Sequence, residues 1–141
     1  MGTPAIPASL LLEIVTPERL LLKEQVDSVV APGVLGSFGV LPGHTPFFTT
    51  LGSGEIAYRR GKEERHLTCF WGFCEVLPDR VTILADLGER AEDIDLGRAE
   101  EAKTHAAQQM ASIRDEAGFK EAQLAYIKAV TRIAVARRHR E

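Results

Sequence analysis

The sequence predicts a small β domain, a sandwich or a barrel, followed by an antiparallel two-helix hairpin. Three observations carry that expectation. The first ninety residues break into brief runs, several rich in β-branched or aromatic residues, separated by Gly- and Pro-containing turn signals. Near residue 90 the pattern changes, and small or apolar positions recur at intervals of three and four. The 141 residues suffice for one ordinary domain, or a small core with an appendage, and not for two full-sized domains.

In chain order, Met1–Ser9 has no basic residue and no long apolar core, so it reads as a disordered end and not as a secretory signal. Leu10–Thr16, Gln25–Val30, Gly54–Arg60, Glu64–Phe70, Phe73–Leu77 and Val81–Asp86 read as strands of a domain spanning 10–91. Pro32-Gly33, Pro42-Gly43, Gly52-Ser53-Gly54, Arg60-Gly61-Lys62 and Pro78-Asp79 supply turns between them. The stretch GSFGVLPGHTP, residues 36–46, holds three glycines, two prolines and His44 around one apolar run, which marks a shaped loop made to touch something.

Residues 92–141 form the hairpin. From Asp95 to about Arg114, Leu96, Ala99, Ala102, Ala106, Met110 and Ile113 paint one helical stripe; Asp115-Glu116-Ala117-Gly118 turns the chain, and Leu124, Ile127, Ala129, Val130, Ile133 and Ala136 resume the period. Alanine-rich seams let helices approach closely while burying little area, so docking is marginal. Glu92, Asp93 and Asp95 at the first helix start, and Arg137, Arg138 and Arg140 at the second helix end, favour the helix dipoles. The helices should therefore persist even where the hairpin opens.

Composition excludes several classes. Net charge is −3, against a uniformly basic nucleic-acid-binding surface, and no stretch approaches the ~18 apolar residues of a membrane span. Charge is uneven: residues 1–91 hold eleven acids and eight bases, whereas 128–141 hold Lys128, Arg132, Arg137, Arg138 and Arg140 against Glu141 alone. Cys69 and Cys74 read as free thiols of a cytosolic protein. No phosphate loop, HExxH or GxSxG occurs, and no catalytic residue is assigned. His66, Cys69 and Cys74 fall outside the strong zinc spacings, so no metal site is assigned either. The alternative is that Trp71-Gly72 turns a hairpin and the two cysteines face each other as small apolar residues on neighbouring strands. His44 lacks a sequence neighbour to activate it as a base and reads as a partner contact. In EDIDLGRAEEA, residues 92–102, Asp95 is a natural N-cap, and Arg98 with Lys128 and Arg132 of the facing helix can form a phosphate patch. The plainer reading of those residues is a cap and a solvated ion pair.

The run from Glu13 to Gly61, then VLPDRVTILAD, then IDLGRAEEA, resembles the epsilon subunit of bacterial and chloroplast F-type ATP synthases, the delta subunit of mitochondria. The resemblance covers about residues 10–137 in order. It implies a β-sandwich of about ten strands followed by a helical hairpin. It further implies a non-catalytic central-stalk rotor subunit whose sandwich grips the gamma subunit and rests on the c-subunit ring, with the alpha/beta catalytic head as a third partner. The location implied is the cytoplasmic face of the cell inner membrane, peripheral through the complex. Ser37, Gly39, Pro42, Gly43 and His44 match the ring-contacting segment; Ser37 stands where many relatives carry an acid, so that ionic contact is lost. The hairpin matches the element that blocks ATP hydrolysis, and Lys128, Arg132, Arg137 and Arg138 would suit an acidic segment of the beta subunits. IDLGRA matches a motif with which some relatives bind ATP, carrying over Glu89, Ile94, Asp95, Arg98, Ala99 and Arg132, with His105 and Lys128 where the best-studied binders have arginine. No cofactor is required; ATP enters as a regulatory ligand. The rival readings are a β-sandwich adaptor of an unrelated complex and a small hydrolase using His44 or the cysteines.

Overall fold

The computed structural model describes residues 5–140. Of the expected disordered end, residues 1–4 lie outside the described residues, as do Glu141 and the side chain of Arg140. Among the described residues there are seven strands: β1 (Leu10–Val15), β2 (Leu20–Val26), β3 (Ser28–Gly33), β4 (Gly36–Val40), β5 (Phe47–Arg60), β6 (Glu63–Leu77) and β7 (Arg80–Arg90). They hydrogen-bond in the order β2-β1-β7-β6-β5-β3-β4; β1 lies parallel to β7 and the other pairs are antiparallel.

The class is the expected sandwich plus hairpin, with seven strands among the described residues where the resemblance implied about ten, and two of the expected turns are bends inside long strands. Gly52-Ser53-Gly54 lies inside β5, and Trp71-Gly72 lies inside β6, where Trp71 has φ 59° and Gly72 φ 140°. The pairing runs through this kink without changing register. What changes is the inward face: Leu67 and Cys69 point into the core before it, Cys74 and Val76 after it. In β5 the inward set likewise passes from Leu51 to Ile56 and Tyr58. The long strands thus fold over a single apolar interior and contribute to both layers. A Cβ on Gly72 would overlap the Leu84 carbonyl oxygen and sit 2.9 Å from the Ala85 Cα, so the bend requires glycine.

The structure corrects four further expectations. Cys69 and Cys74 share one strand and do not face each other across a hairpin. The first half of the 36–46 loop is a strand, β4, paired with β3 from Val29–Val40 to Gly33–Gly36, which moves the turn from Pro32-Gly33 to Val34-Leu35. The Gln25–Val30 strand is two strands parted at Asp27. The helical turn comes earlier than Asp115–Gly118: α1 (Leu96–Ser112) ends at Ile113, and α2 (Glu116–Arg140) begins where the Asp115 carboxylate accepts the Gly118 N–H at 2.8 Å. That aspartate is a helix start signal, not a stop.

Both cysteines are fully buried. Burial pushes each thiol up to about 12, with smaller contributions from Cys74 and Asp86 on Cys69 and from Glu75 on Cys74. Burial, then the hydrogen bond that Tyr58 donates to Glu24 at 2.8 Å, likewise pushes Tyr58 up to about 12. The native state therefore keeps protons that the unfolded chain releases above its ordinary values of 9.0 for the thiols and 10.0 for the phenol. Stability is intact below those values and lost as pH rises through the folded-state ones. Denaturant midpoints measured against pH should be flat at neutrality and fall from about pH 9 upward, and a thiol reagent at neutral pH should label neither cysteine until the chain is unfolded.

The hairpin seam is as alanine-rich as the sequence suggests, with Ala99, Ala106, Ala122, Ala129, Ile133 and Ala136 buried. Leu124, Ile127 and Val130, assigned to the same stripe, are exposed on another face of α2. Their three-residue spacing fits a helix, but the buried register is that of Ala122, Ala129, Ile133 and Ala136. A small apolar cluster of Ala91, Ile94, Val135 and Ala136, with Leu96 against it, joins the hairpin to the end of the sandwich and is separate from the main core.

Candidate functional site

After β7 the chain makes a single 3-10 turn, Ala91–Asp93, and enters α1, where the Asp95 carboxylate accepts the Arg98 N–H at 3.1 Å. This geometry lays the end of β7, the 3-10 turn and the first turn of α1 against the middle of α2. Between them is a cleft of about 390 Å3 lined by Glu89, Asp93, Ile94, Asp95, Arg98, Ala99, Ala102 and Arg132. Six of the seven residues assigned to nucleotide binding, Glu89, Ile94, Asp95, Arg98, Ala99 and Arg132, meet there. The cleft lies within the ~300–1,000 Å3 range of small-molecule sites.

Its chemistry is mixed. Ile94, Ala99 and Ala102 offer a low apolar wall, and Arg98 and Arg132 bring two guanidinium groups. Three carboxylates share the space: Asp95 is held by the cap, and Glu89 accepts from Arg132 Nε at 2.6 Å. Arg132 also lies over the Phe70 ring at 5.8 Å. A phosphate can reach Arg98 freely, whereas at Arg132 it competes with Glu89 or adds a second acceptor beside it.

The seventh residue is elsewhere. Lys128 does not line the cleft; its Nζ sits 5.7 Å over the Trp71 ring, one turn of α2 before Arg132. His105 lies on the far side of α1, beside Gly97, Glu100 and Thr104. Lys128 and His105, the two positions where the resemblance implies arginine in ATP-binding relatives, therefore bring no third cation to this cleft.

The four residues assigned to the catalytic head are engaged inside the chain. Besides Arg132 on Glu89 and Lys128 on Trp71, Arg137 pairs with Glu100 at 3.3 Å and Arg138 Nε with Glu55 Oε2 at 2.9 Å. Glu55 Oε1 is also 3.0 Å from His66 Nδ1. These acceptors, Glu55, Phe70, Trp71 and Glu100, were not anticipated. They lie tens of residues from their partners, and no local spacing announces them.

The residues assigned to ring contact lie on β4, at one end of the strand order, and in the segment that follows it. Ser37 and Gly39 are exposed on β4, and Pro42-Gly43 makes the turn that follows, with Gly43 at φ 85° and its N–H donating to Pro78 O at 2.7 Å. The His44 ring has Nδ1 2.6 Å from Thr45 O and lies 6.4 Å from the Phe47 ring. The hydrolase reading finds no support in the cysteines, whose raised pKa keeps them protonated.

Comparison with known proteins agrees with this architecture. The family described as "ATP synthase, Delta/Epsilon chain, beta-sandwich domain" matches residues 9–91, and that described as "ATP synthase, Delta/Epsilon chain, long alpha-helix domain" matches residues 92–137. The chain is similar to the ATP synthase epsilon chain of Syntrophobacter fumaroxidans, 50% identical over 125 residues, which is 89% of this chain and 93% of that one. It is also similar to that of Nitratidesulfovibrio vulgaris strain DP4, 47% identical over 127 residues, covering 90% of this chain and 95% of the relative. In fold it resembles a chain of the mitochondrial ATP synthase of Euglena gracilis, with TM-score 0.80 and 24% identity, over 92% of this chain and 83% of that one. With both parts matched in order and half the residues shared with a relative of nearly equal extent, the chain belongs to the ATP synthase delta/epsilon chain family.

Proposed function

We propose that the chain is a non-catalytic rotor subunit of an F-type ATP synthase, gripping the gamma subunit and seated on the c-subunit ring, with a hairpin that restrains ATP hydrolysis when it leaves the sandwich. In this reading it is peripheral to the cytoplasmic face of the inner membrane. One observation carries the regulatory part: three charged side chains of α2, Lys128, Arg132 and Arg138, reach the sheet, and the apolar cluster that joins the hairpin to the sandwich is small and separate from the main core. Pairs of this kind are each worth about 0–2 kcal/mol and exchange readily for other acidic or aromatic partners. The same cations that dock the hairpin are then free to meet the catalytic head once it opens. For the gamma subunit, the stacked Phe48 and Phe73 rings, 5.9 Å apart and exposed beside Leu84, offer an apolar face on the sandwich.

ATP acts in this scheme as a ligand of the docked state, in the cleft between Arg98 and Arg132. At ten times its dissociation constant it would stabilise that state by about 1.4 kcal/mol, roughly a tenfold shift in population. Calorimetric titration of the chain with ATP, with and without Mg2+, tests the site. Saturable binding that weakens tenfold or more in Arg98→Ala is the expected result. No saturation up to roughly 5 mM, or equal binding by parent and variant, removes ATP and leaves a mechanical subunit.

A further inference from the structure

Glu55 of β5 is shared between two cationic partners. Its Oε1 lies 3.0 Å from His66 Nδ1 on β6, and its Oε2 accepts from Arg138 Nε of α2 at 2.9 Å. One carboxylate thus joins a histidine of the sandwich to the last turns of the helix above it. Strand alternation puts the two sandwich residues there: Ile56 and Tyr58 of β5 and Leu67 of β6 point into the core, which turns Glu55 and His66 to the outer face. The His66 and Glu55 side chains are 11% and 23% exposed, so the pair is largely withdrawn from water.

A carboxylate only accepts hydrogen bonds. Nδ1 therefore carries a proton whether the ring is neutral or charged, and the proton that comes and goes is at Nε2. Histidine makes that change between about pH 5 and 8. The other charges around His66 are already engaged. Arg59 of β5 is 3.9 Å from Glu64 of β6, and at the end of β7 Glu89 holds Arg132 at 2.6 Å. In the 3-10 turn Glu92 is 3.9 Å from Arg90, and Asp93 lines the cleft with Arg98. From α2, Arg137 is turned to Glu100, which leaves Arg138. Among the described residues, Glu55 is the one charged group within ion-pair distance of the ring. Arg138 has no substitute acceptor in the groove it lines beside Val30, Pro32, Gly54 and Ala57, where Glu55 is the one carboxylate among the described residues.

Charging the ring changes what Arg138 meets. With a neutral imidazole, Glu55 presents its full negative charge to the guanidinium. With an imidazolium 3.0 Å away that charge is locally cancelled, and a second cation stands beside the first. Docking of Arg138 is therefore strongest with His66 neutral; it is present above the histidine range and lost as pH falls through it.

We propose that His66, Glu55 and Arg138 form an acid-released clasp, in which a proton on His66 Nε2 frees the end of α2 from the sandwich. The inference rests on the reading of the hairpin as an element that leaves the sandwich, and it names what regulates that departure. Acidification favours the released hairpin, the state that restrains hydrolysis in that reading.

The test is amide hydrogen exchange on the full chain without nucleotide, at roughly pH 8 and pH 6, with each rate corrected for the intrinsic rate at that pH. In the parent, protection of residues 128–137 should fall about two- to fivefold from the higher pH to the lower, the range that a partly exposed ion pair supports, while β6 keeps its own. His66→Gln, which stays neutral, should hold the higher protection at both values, and Glu55→Gln the lower at both. His139→Gln, which changes the histidine next to Arg138, should respond as the parent does. An unchanged thermal transition at pH 8 shows that a variant is folded; should His66→Gln fail that check, Arg138→Gln on the exposed helix end takes its place and must also abolish the response. A response of equal size in His66→Gln, or protection that rises on acidification, overturns the clasp. A flat parent whose α2 protection still drops in Arg132→Ala overturns it and leaves the releasable hairpin standing. Protection of α2 equal to that of β6 in every variant, Arg132→Ala included, removes both.

Discussion

Gly72→Ala should unfold the sandwich more readily than any other single methyl addition in the chain. The residue sits at φ 140°, where a side chain is strained, and its new Cβ would overlap the Leu84 carbonyl oxygen on β7. The obstruction is backbone in the middle of a paired strand, so it cannot swing aside as a side-chain tip could. Strain of about 1–3 kcal/mol and overpacking of a similar size add to a loss of roughly 2–6 kcal/mol. For a domain of this length that lowers the thermal midpoint by about 10–15 °C, or prevents folding at 37 °C. Gly61→Ala, with nothing within 4 Å of its Cβ, is the control for positive-φ strain alone. Equal midpoints for the two variants would mean that β7 gives way and that the kink is not fixed by contact.

Arg132→Ala should loosen the hairpin without unfolding the sandwich. One side chain supplies the 2.6 Å bond to Glu89, the stacking contact on Phe70 and one wall of the cleft. Both ionic partners are about one-third exposed, so water and salt screen the pair, and the loss is about 1–2 kcal/mol and not the several expected of a buried ion pair. Amide hydrogen exchange separates the two parts of the molecule. Protection of α2 should drop about tenfold for each 1.4 kcal/mol while β1, β6 and β7 keep theirs. The accompanying loss of the guanidinium should also weaken ATP binding in the calorimetric titration. If α2 protection is unchanged, the apolar cluster of Ile94, Val135 and Ala136 holds the hairpin by itself, and the ionic latch is incidental.

Much of this architecture is visible in the residue order because it is local. The change of period at residue 90, the Asp95 cap and the alanine seam depend on neighbours three or four residues apart, and all three stand in the structure. The bends at Gly52-Ser53-Gly54 and Trp71-Gly72 look like chain reversals in the sequence because a bend within a strand and a turn between strands ask for the same backbone freedom. β4 looks like loop for the related reason that an edge strand tolerates glycine. Within the cleft, Ile94, Asp95, Arg98 and Ala99 are one helical turn and could be grouped by spacing; Glu89 and Arg132, 43 residues apart, came together only through the family resemblance. Lys128 shows the limit of such transfer. It occupies a family position on α2, yet the strained Trp71 on the neighbouring sheet draws it away from the cleft.

The parallel pairing of β1 with β7 fixes the order in which the molecule can be finished on the ribosome. Leu11 is opposite Arg80 and Val15 opposite Leu84, so the first strand made waits for the last before its second neighbour exists. At ~5–20 residues per second that interval is some seconds, during which β1 has only β2 to pair with. Closing so long a loop is entropically slow but costs little more than a shorter one. The helices follow immediately after the strand that completes the sheet. The surface on which Arg132 and Lys128 settle is therefore whole before either leaves the exit tunnel, and the hairpin's first docking is onto a finished sandwich.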